Sequence, residues 1–180
     1  IVLINIFDAT FWTIGPLFSS SFPEFKHFSG FIMMLYNLPS VFTVWKVEAV
    51  SRKFGKKKTA FFSFLLANLF LIPLSFINSP YLTLFCIILS TTACSFTWPA
   101  IEGAFTDYVS ESGRYESEIE GLTDFTTNLG HVFGPILAGL FSDKIGISHS
   151  FALIGFINIC LVIFLLFITP KHINVVLKRS

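Results

Sequence analysis

Charge is what this sequence has least of: 12 Lys and Arg and 11 Asp and Glu in 180 residues, 13% in all. Soluble globular chains carry about 25%, so an ordinary water-soluble domain is excluded. The formal net charge of +1 provides no basic field for nucleic acid. Cysteine is scarce too. Cys86, Cys94 and Cys160 lie inside apolar runs with no C-x-x-C pair, so neither a disulfide framework nor a zinc site is supported. Enzyme signatures are missing. Gly55-Lys56 is followed by Lys57, which breaks a G-x-x-x-x-G-K-[ST] phosphate loop and removes the case for an ATP-driven pump. His27, His131, His149 and His172 form no H-E-x-x-H or paired ligand set, and Gly-x-Ser-x-Gly is absent. No cofactor, no metal and no enzymatic activity are expected. Residue 1 is Ile within an apolar run rather than Met before a charged stretch. A signal peptide is therefore not expected, and the chain reads as part of a longer protein.

What is abundant is apolar surface: 53% hydrophobic residues, 24 of them Phe, and a mean hydropathy of +0.74. A bilayer span needs about 20 mostly apolar residues. Apolar segments bounded by Gly, Pro, Ser and charge clusters run over 1–22, 28–50, 59–77, 81–106, 119–141 and 149–168. The expected fold is all-α: one polytopic bundle of six transmembrane helices over residues 1–180. The expected connections are 23–27, the basic run Arg52, Lys53, Lys56, Lys57 and Lys58, the tripeptide Asn78-Ser79-Pro80, the acidic stretch 107–118, and 142–148. None is long enough for a soluble domain.

Lys and Arg concentrate in cytoplasmic loops. The basic run, Arg114, Lys171, Lys178 and Arg179 fall on one side, nine in total, against Lys26 and Lys144 on the other. Lys46, near the end of the second helix, can snorkel toward the basic side. Both chain ends are therefore expected in the cytoplasm, in a plasma (cell inner) membrane. An ionised group at the bilayer centre costs about 2.5 to 3.5 kcal/mol even on lenient scales. Segment 59–77 has no charge, and 149–168 offers only His149 and Asn158, so these two helices are expected to face lipid. The acids Asp8, Glu102, Asp107 and Asp124 and the base His131 sit in the other helices.

The stretch Glu48-Ala49-Val50-Ser51-Arg52-Lys53-Phe54-Gly55-Lys56-Lys57 after the second helix matches the second part of G-x-x-x-D-[RK]-x-G-[RK]-[RK] through Lys53, Gly55, Lys56 and Lys57. Glu48 stands in place of the Gly and Arg52 in place of the Asp. The fifth helix reads Gly130-His131-Val132-Phe133-Gly134-Pro135-Ile136-Leu137-Ala138-Gly139, similar to G-x-x-x-G-P-x-x-G, and Gly139 to Gly146 follows G-x-x-x-D-[RK]-x-G. Over essentially its whole length the chain resembles one six-helix half of a major facilitator superfamily transporter. The resemblance implies a gating loop at Glu48, Arg52, Lys53, Gly55, Lys56 and Lys57. Because the motif aspartate is missing, its gate role does not carry over, and Glu48 and Arg52, spaced i, i+4, are expected to pair with each other. The imperfect basic-loop motif and the D-K-x-G after the fifth helix favour the C-terminal half.

On a helix advancing 100° per residue, Asp124, Thr127, Asn128, His131, Pro135, Ala138 and Ser142 share an arc of roughly 100°. This stripe reads either as a cavity wall or as polar residues bonding to neighbouring helices. Pro135 cannot donate to the His131 carbonyl, leaving a free acceptor at an expected bend. Gly130, Gly134 and Ala138 form a small-residue ridge that invites close backbone approach, a packing role shared with Pro135 and Gly139. Thr91, Ser95, Trp98, Glu102 and Phe105 make a second stripe, and Asn5, Asp8, Trp12, Gly15 and Ser19 a third. Each joins an acid to a Trp, which suits either a cation or sugar site or an interfacial anchor.

The expected function is transport of a small molecule by alternating access, with protons as a candidate coupling ion and Asp124, then Glu102, ahead of Asp8 as the titrating residue. The expected partners are the bilayer, a small-molecule substrate and a second six-helix half, with no nucleic acid. The alternatives are a polytopic membrane enzyme and a transporter-like sensor or scaffold.

Overall fold

The computed structural model describes residues 1–23, 30–112 and 116–169, without the side chains of Val44, Glu111 and Ser112. Expectations resting on Lys26, His27, Arg114, Lys171, His172, Lys178 and Arg179 lie outside the described residues. Six α-helices are present, with no strand among the described residues: α1 Val2–Ser21, α2 Phe31–Phe54, α3 Lys56–Leu69, α4 Pro80–Ser112, α5 Glu116–Ile145 and α6 Ile147–Ile168. A 3-10 turn, Ile72–Ser75, extends α3. The chain is an all-α polytopic membrane bundle.

Four of these helical segments are long and apolar enough to span a bilayer on their own composition: Val2–Ser21, Lys56–Ser75, Pro80–Ser110 and Ile147–Ile168. The remaining two, α2 and α5, are more polar. Only Phe31–Thr43 of α2 is a continuous apolar stretch, and α5 opens with acids at Glu116 and Glu118. Their place in the bundle comes from packing, α2 mainly against α4 and α5 mainly against α1. Pro16, Pro39, Pro99 and Pro135 lie inside α1, α2, α4 and α5, one in each. Neither α3 nor α6 has an internal proline.

Three connections are much shorter than the hydropathy pattern predicts, because apolar composition stops at the edge of the bilayer while helical hydrogen bonding continues into water. Gly55 alone separates α2 from α3, and Gly146 alone separates α5 from α6. Both have positive φ, 90° and 86°, a conformation that costs glycine little. Each closes one helix and opens the next: Gly55 N donates to the Ser51 carbonyl at 2.9 Å and its own carbonyl accepts from Thr59 N at 2.9 Å. Gly146 repeats this with Ser142 and Ser150, each at 3.0 Å. The same Ser-x-Lys-x-Gly sequence, 51–55 and 142–146, therefore makes the same turn twice.

The acidic stretch 107–118 requires a further correction. Most of it is helix, since α4 runs to Ser112 and α5 begins at Glu116. Asp107 is not a free loop acid but pairs with Lys56 Nζ at 2.7 Å, and Lys56 also donates to the Gly103 carbonyl at 3.0 Å. This contact ties the start of α3 to the last turns of α4. Lys57 Nζ sits 5.2 Å from the Tyr108 ring centroid, reinforcing the same junction. Glu48 and Arg52 pair at 3.4 Å on the exposed surface of α2.

The core is aromatic and centred on α1. Phe7, Phe11 and Phe18 are fully buried, with Phe11 and Phe151 of α6 at 4.9 Å and Phe7 and Phe64 of α3 at 5.9 Å between centroids. Lipid tails are as apolar as leucine, so such packing holds helices together by close contact rather than by escape from water. Small residues set the closest approach. A Cβ at Gly130 would lie 2.3 Å from Asn5 Cβ, and one at Gly134 2.5 Å from Ala9 Cβ, so the ridge on α5 is filled by α1. Nothing lies within 4 Å of a Cβ at Gly139, which takes no part in this contact. Between α3 and α6 the glue is polar: Asn158 Nδ2 donates to Asn68 Oδ1 at 3.0 Å, with both side chains buried.

Candidate functional site

The four helices that contain proline line a half-open cavity of about 330 Å³. α1 contributes Asn5 and Asp8, α2 Tyr36, Asn37 and Ser40, α4 Thr91, Cys94, Ser95 and Trp98, and α5 His131. The helical repeat puts these side chains on one face of each helix, since 5 and 8, 37 and 40, and 91, 95 and 98 are three or four apart.

Asp8 is half-buried and accepts a hydrogen bond from Tyr36 Oη, which links α1 to α2. Tyr36 is held in place by stacking on Phe11, 4.8 Å between centroids. Among the described residues no Lys or Arg pairs with Asp8 or lines the cavity. Thr43 Oγ1 donates to Ser95 Oγ at 2.7 Å, which in turn donates to the Thr92 carbonyl at 2.7 Å, so α2 and α4 are joined beside the cavity. Thr91 Oγ1 donates within its own helix to the Ile87 carbonyl at 2.9 Å. Asn5 Nδ2 donates to the Ile1 carbonyl at 3.1 Å, while its buried Oδ1 has no hydrogen-bond partner.

Of the residues singled out in the sequence, Asn5, Asp8, Thr91, Ser95, Trp98 and His131 meet in this cavity. Glu102 and Asp124 do not. They line a separate opening of about 420 Å³ with Thr106, Glu116, Glu120 and Thr123, between the later turns of α4 and the first turns of α5. The α5 stripe is therefore divided: Asp124 faces that acidic opening, His131 the polar cavity, and Ala138 is buried. Asn128 and Trp12 line neither, and both are exposed, Trp12 by 57%. Tyr36, Asn37 and Ser40 were missed by sequence reasoning. Their signal was three polar-capable positions within about one turn of the apolar stretch Phe31–Thr43, a stretch without an acid to draw attention to them.

The arrangement offers polar and aromatic groups for recognition of a small molecule. It has one carboxylate, hydroxyls, amides, a thiol, an imidazole and an indole, and no group of His, Cys, Asp and Glu among the described residues is arranged to hold a metal. The Major Facilitator Superfamily family model matches residues 1–179. The chain belongs to the major facilitator superfamily. Comparison with curated proteins finds no match. Its six helices are one half of the twelve-helix architecture of this superfamily, and a superfamily chain is a membrane transporter in general function. α1, α2, α4 and α5 line the polar space of this half, while α3 and α6 present Phe62, Leu66, Phe156, Phe164 and Phe167 outward.

Proposed function

We propose that this unit is the C-terminal half of a proton-coupled secondary active transporter for a small molecule, working by alternating access with a second six-helix half. One observation carries the reading: the Asp8 carboxylate lies in a polar cavity, bonded to Tyr36 and without a cationic partner among the described residues. A carboxylate that is neutral in one state and charged in another couples proton movement to the switch between states. The titratable side chains around the cavity are Asp8 on α1, Tyr36 on α2, Cys94 on α4 and His131 on α5. Asp8 therefore takes precedence over Asp124 and Glu102, which share the acidic opening with Glu116 and Glu120.

The internal prolines support the moving part of the proposal. Each removes a backbone donor and leaves a carbonyl one turn earlier without its helical bond, so the four cavity helices have built-in points of bending. The Lys56 to Asp107 contact, at the basic end of the bundle, serves as a latch that keeps α3 and α4 together while the halves rock. The excess of Lys and Arg at that end supports a cytoplasmic position for Gly55, and the membrane of the proposal is the plasma (cell inner) membrane.

The test is uptake into proteoliposomes by the complete transporter, driven by a pH gradient. Gradient-driven uptake that is lost in Asp8→Asn supports the proposal, and loss of gradient response in Asp124→Asn but not Asp8→Asn overturns the assignment. No uptake of any solute, with or without a gradient, would favour a sensor or a membrane enzyme. For topology, single cysteines at positions 57 and 144 should react with an impermeant reagent from opposite faces, position 57 from the cytoplasm.

A further inference from the structure

The cavity is rich in acceptors and holds no fixed positive charge, which limits what it can bind. Asp8 offers a carboxylate that, among the described residues, accepts its hydrogen bond from Tyr36. Three residues earlier, one turn back along the same face of α1, Asn5 is 1% exposed, and its Oδ1 is buried without a donor among the described residues. A buried amide oxygen left unpaired costs free energy, so the site gains when an N–H group arrives. Trp98, 39% exposed, lines the same cavity from α4 and presents an aromatic ring, whose face attracts cations. An anionic ligand would meet Asp8 and the unpaired Asn5 oxygen with no Lys or Arg among the lining residues to offset them.

We propose that the cavity takes a small protonated primary or secondary amine, with its ammonium between the Asp8 carboxylate and Asn5 Oδ1 and its apolar part against Trp98. This rests on the transport reading only for the claim that the ligand is moved. Binding and movement are separate measurements. Since one carboxylate cannot hold both a proton and an ammonium ion, ligand and proton compete for Asp8, and the natural exchange is an amine in one direction against a proton in the other.

The probes are 2-phenylethylammonium, its N,N,N-trimethyl analogue, 3-phenylpropionate and sodium ion, each titrated into the complete transporter in nanodiscs. Quenching of tryptophan fluorescence and thermal stabilisation report binding. The amine should bind. The trimethyl analogue, which keeps the charge but has no N–H, should bind about tenfold more weakly, the scale of one charged hydrogen bond. The carboxylate should not bind, and Asp8→Asn should weaken the amine by at least about tenfold. Acidification should weaken the amine more in the wild type than in Asp8→Asn, where His131 is left as the cavity side chain that can gain positive charge in acid. Equal binding of the trimethyl analogue removes Asn5 from the proposal, tight binding of 3-phenylpropionate overturns it, and saturable stabilisation by sodium without amine binding makes the site an alkali-cation site instead. Amine binding with no uptake in proteoliposomes overturns the transport reading and leaves this inference. Uptake of another solute that excess amine does not inhibit does the reverse.

Discussion

Asn68 and Asn158 on one side of the bundle, and Asn5 and Asp8 on the other, are polar side chains in apolar helices, yet they are treated in opposite ways. In the α3 and α6 pair Asn158 Nδ2 donates to Asn68 Oδ1 at 3.0 Å, Asn68 Nδ2 donates to the Phe64 carbonyl at 2.8 Å, and both side chains are buried. Ser90 likewise spends its hydroxyl on the Ala67 carbonyl at 2.8 Å, joining α4 to α3. On the opposite side, α1, α2, α4 and α5 leave a carboxylate facing a cavity and an amide oxygen with no partner among the described residues. The helices differ in the same sense, since those around the cavity each contain a proline and α3 and α6 contain none. A polar residue in a membrane helix is therefore glue where the fold supplies its partner, and a candidate site where the partner must come from outside.

The strongest way to break this comparison is at Asp8. Asp8→Asn should reduce gradient-driven uptake to background while the protein keeps its thermal unfolding midpoint, because the amide still accepts from Tyr36. A large fall in midpoint with uptake retained per folded molecule would make Asp8 structural, like Asn68. Next in size is Gly130→Ala. The added Cβ meets Asn5 Cβ at 2.3 Å and the Val2 carbonyl at 2.8 Å, so overpacking should cost about 1 to 3 kcal/mol. Gly139→Ala, with nothing within 4 Å, should leave the midpoint unchanged and serves as the control.

Asn68→Ala should cost about 0.5 to 2 kcal/mol, the range for interhelical hydrogen bonds in membranes, read from unfolding in detergent, with uptake per folded molecule preserved. Replacing both partners, Asn68→Leu with Asn158→Leu, should recover part of that loss, since no buried polar group is then left unpaired. If the double replacement abolishes uptake in a stable protein, the distinction between glue and site fails. The smallest effect is expected at Glu48→Gln. Its partner Arg52 and Glu48 itself are both 75% exposed, and exposed pairs of this kind contribute little. Neither the unfolding midpoint nor uptake should change measurably.

Much of this was legible because it depends on local pattern. Asp8, Trp98 and His131 stood out as polar or aromatic groups placed by helical spacing among apolar residues. Gly130, Gly134 and Ala138 showed their four-residue period before any neighbour was known. Tyr36, by contrast, is an ordinary aromatic in an apolar helix until Asp8 comes within hydrogen-bond reach from 28 positions away. Asn68 was equally silent, because its partner is 90 residues distant. Connection lengths were misjudged at Gly55, at Gly146 and between α4 and α5, since hydropathy marks where lipid ends and not where helical hydrogen bonding ends.

Sequence by itself determined that this is an all-α membrane chain of its superfamily. Apolar length, scarce charge and the motifs around Gly55 and Gly134 are properties of contiguous residues, and the bilayer reads them directly. Only the tertiary structure decided which polar residues meet. The α5 stripe from Asp124 to Ser142 extends along the helix axis at 1.5 Å per residue, so residues on one face of one helix need not share a cavity. Packing against α1 and α4 divides them, sending His131 toward Asp8 and Asp124 toward Glu102. Helical periodicity defines an angle around one axis, whereas a binding site is defined by distances between several axes.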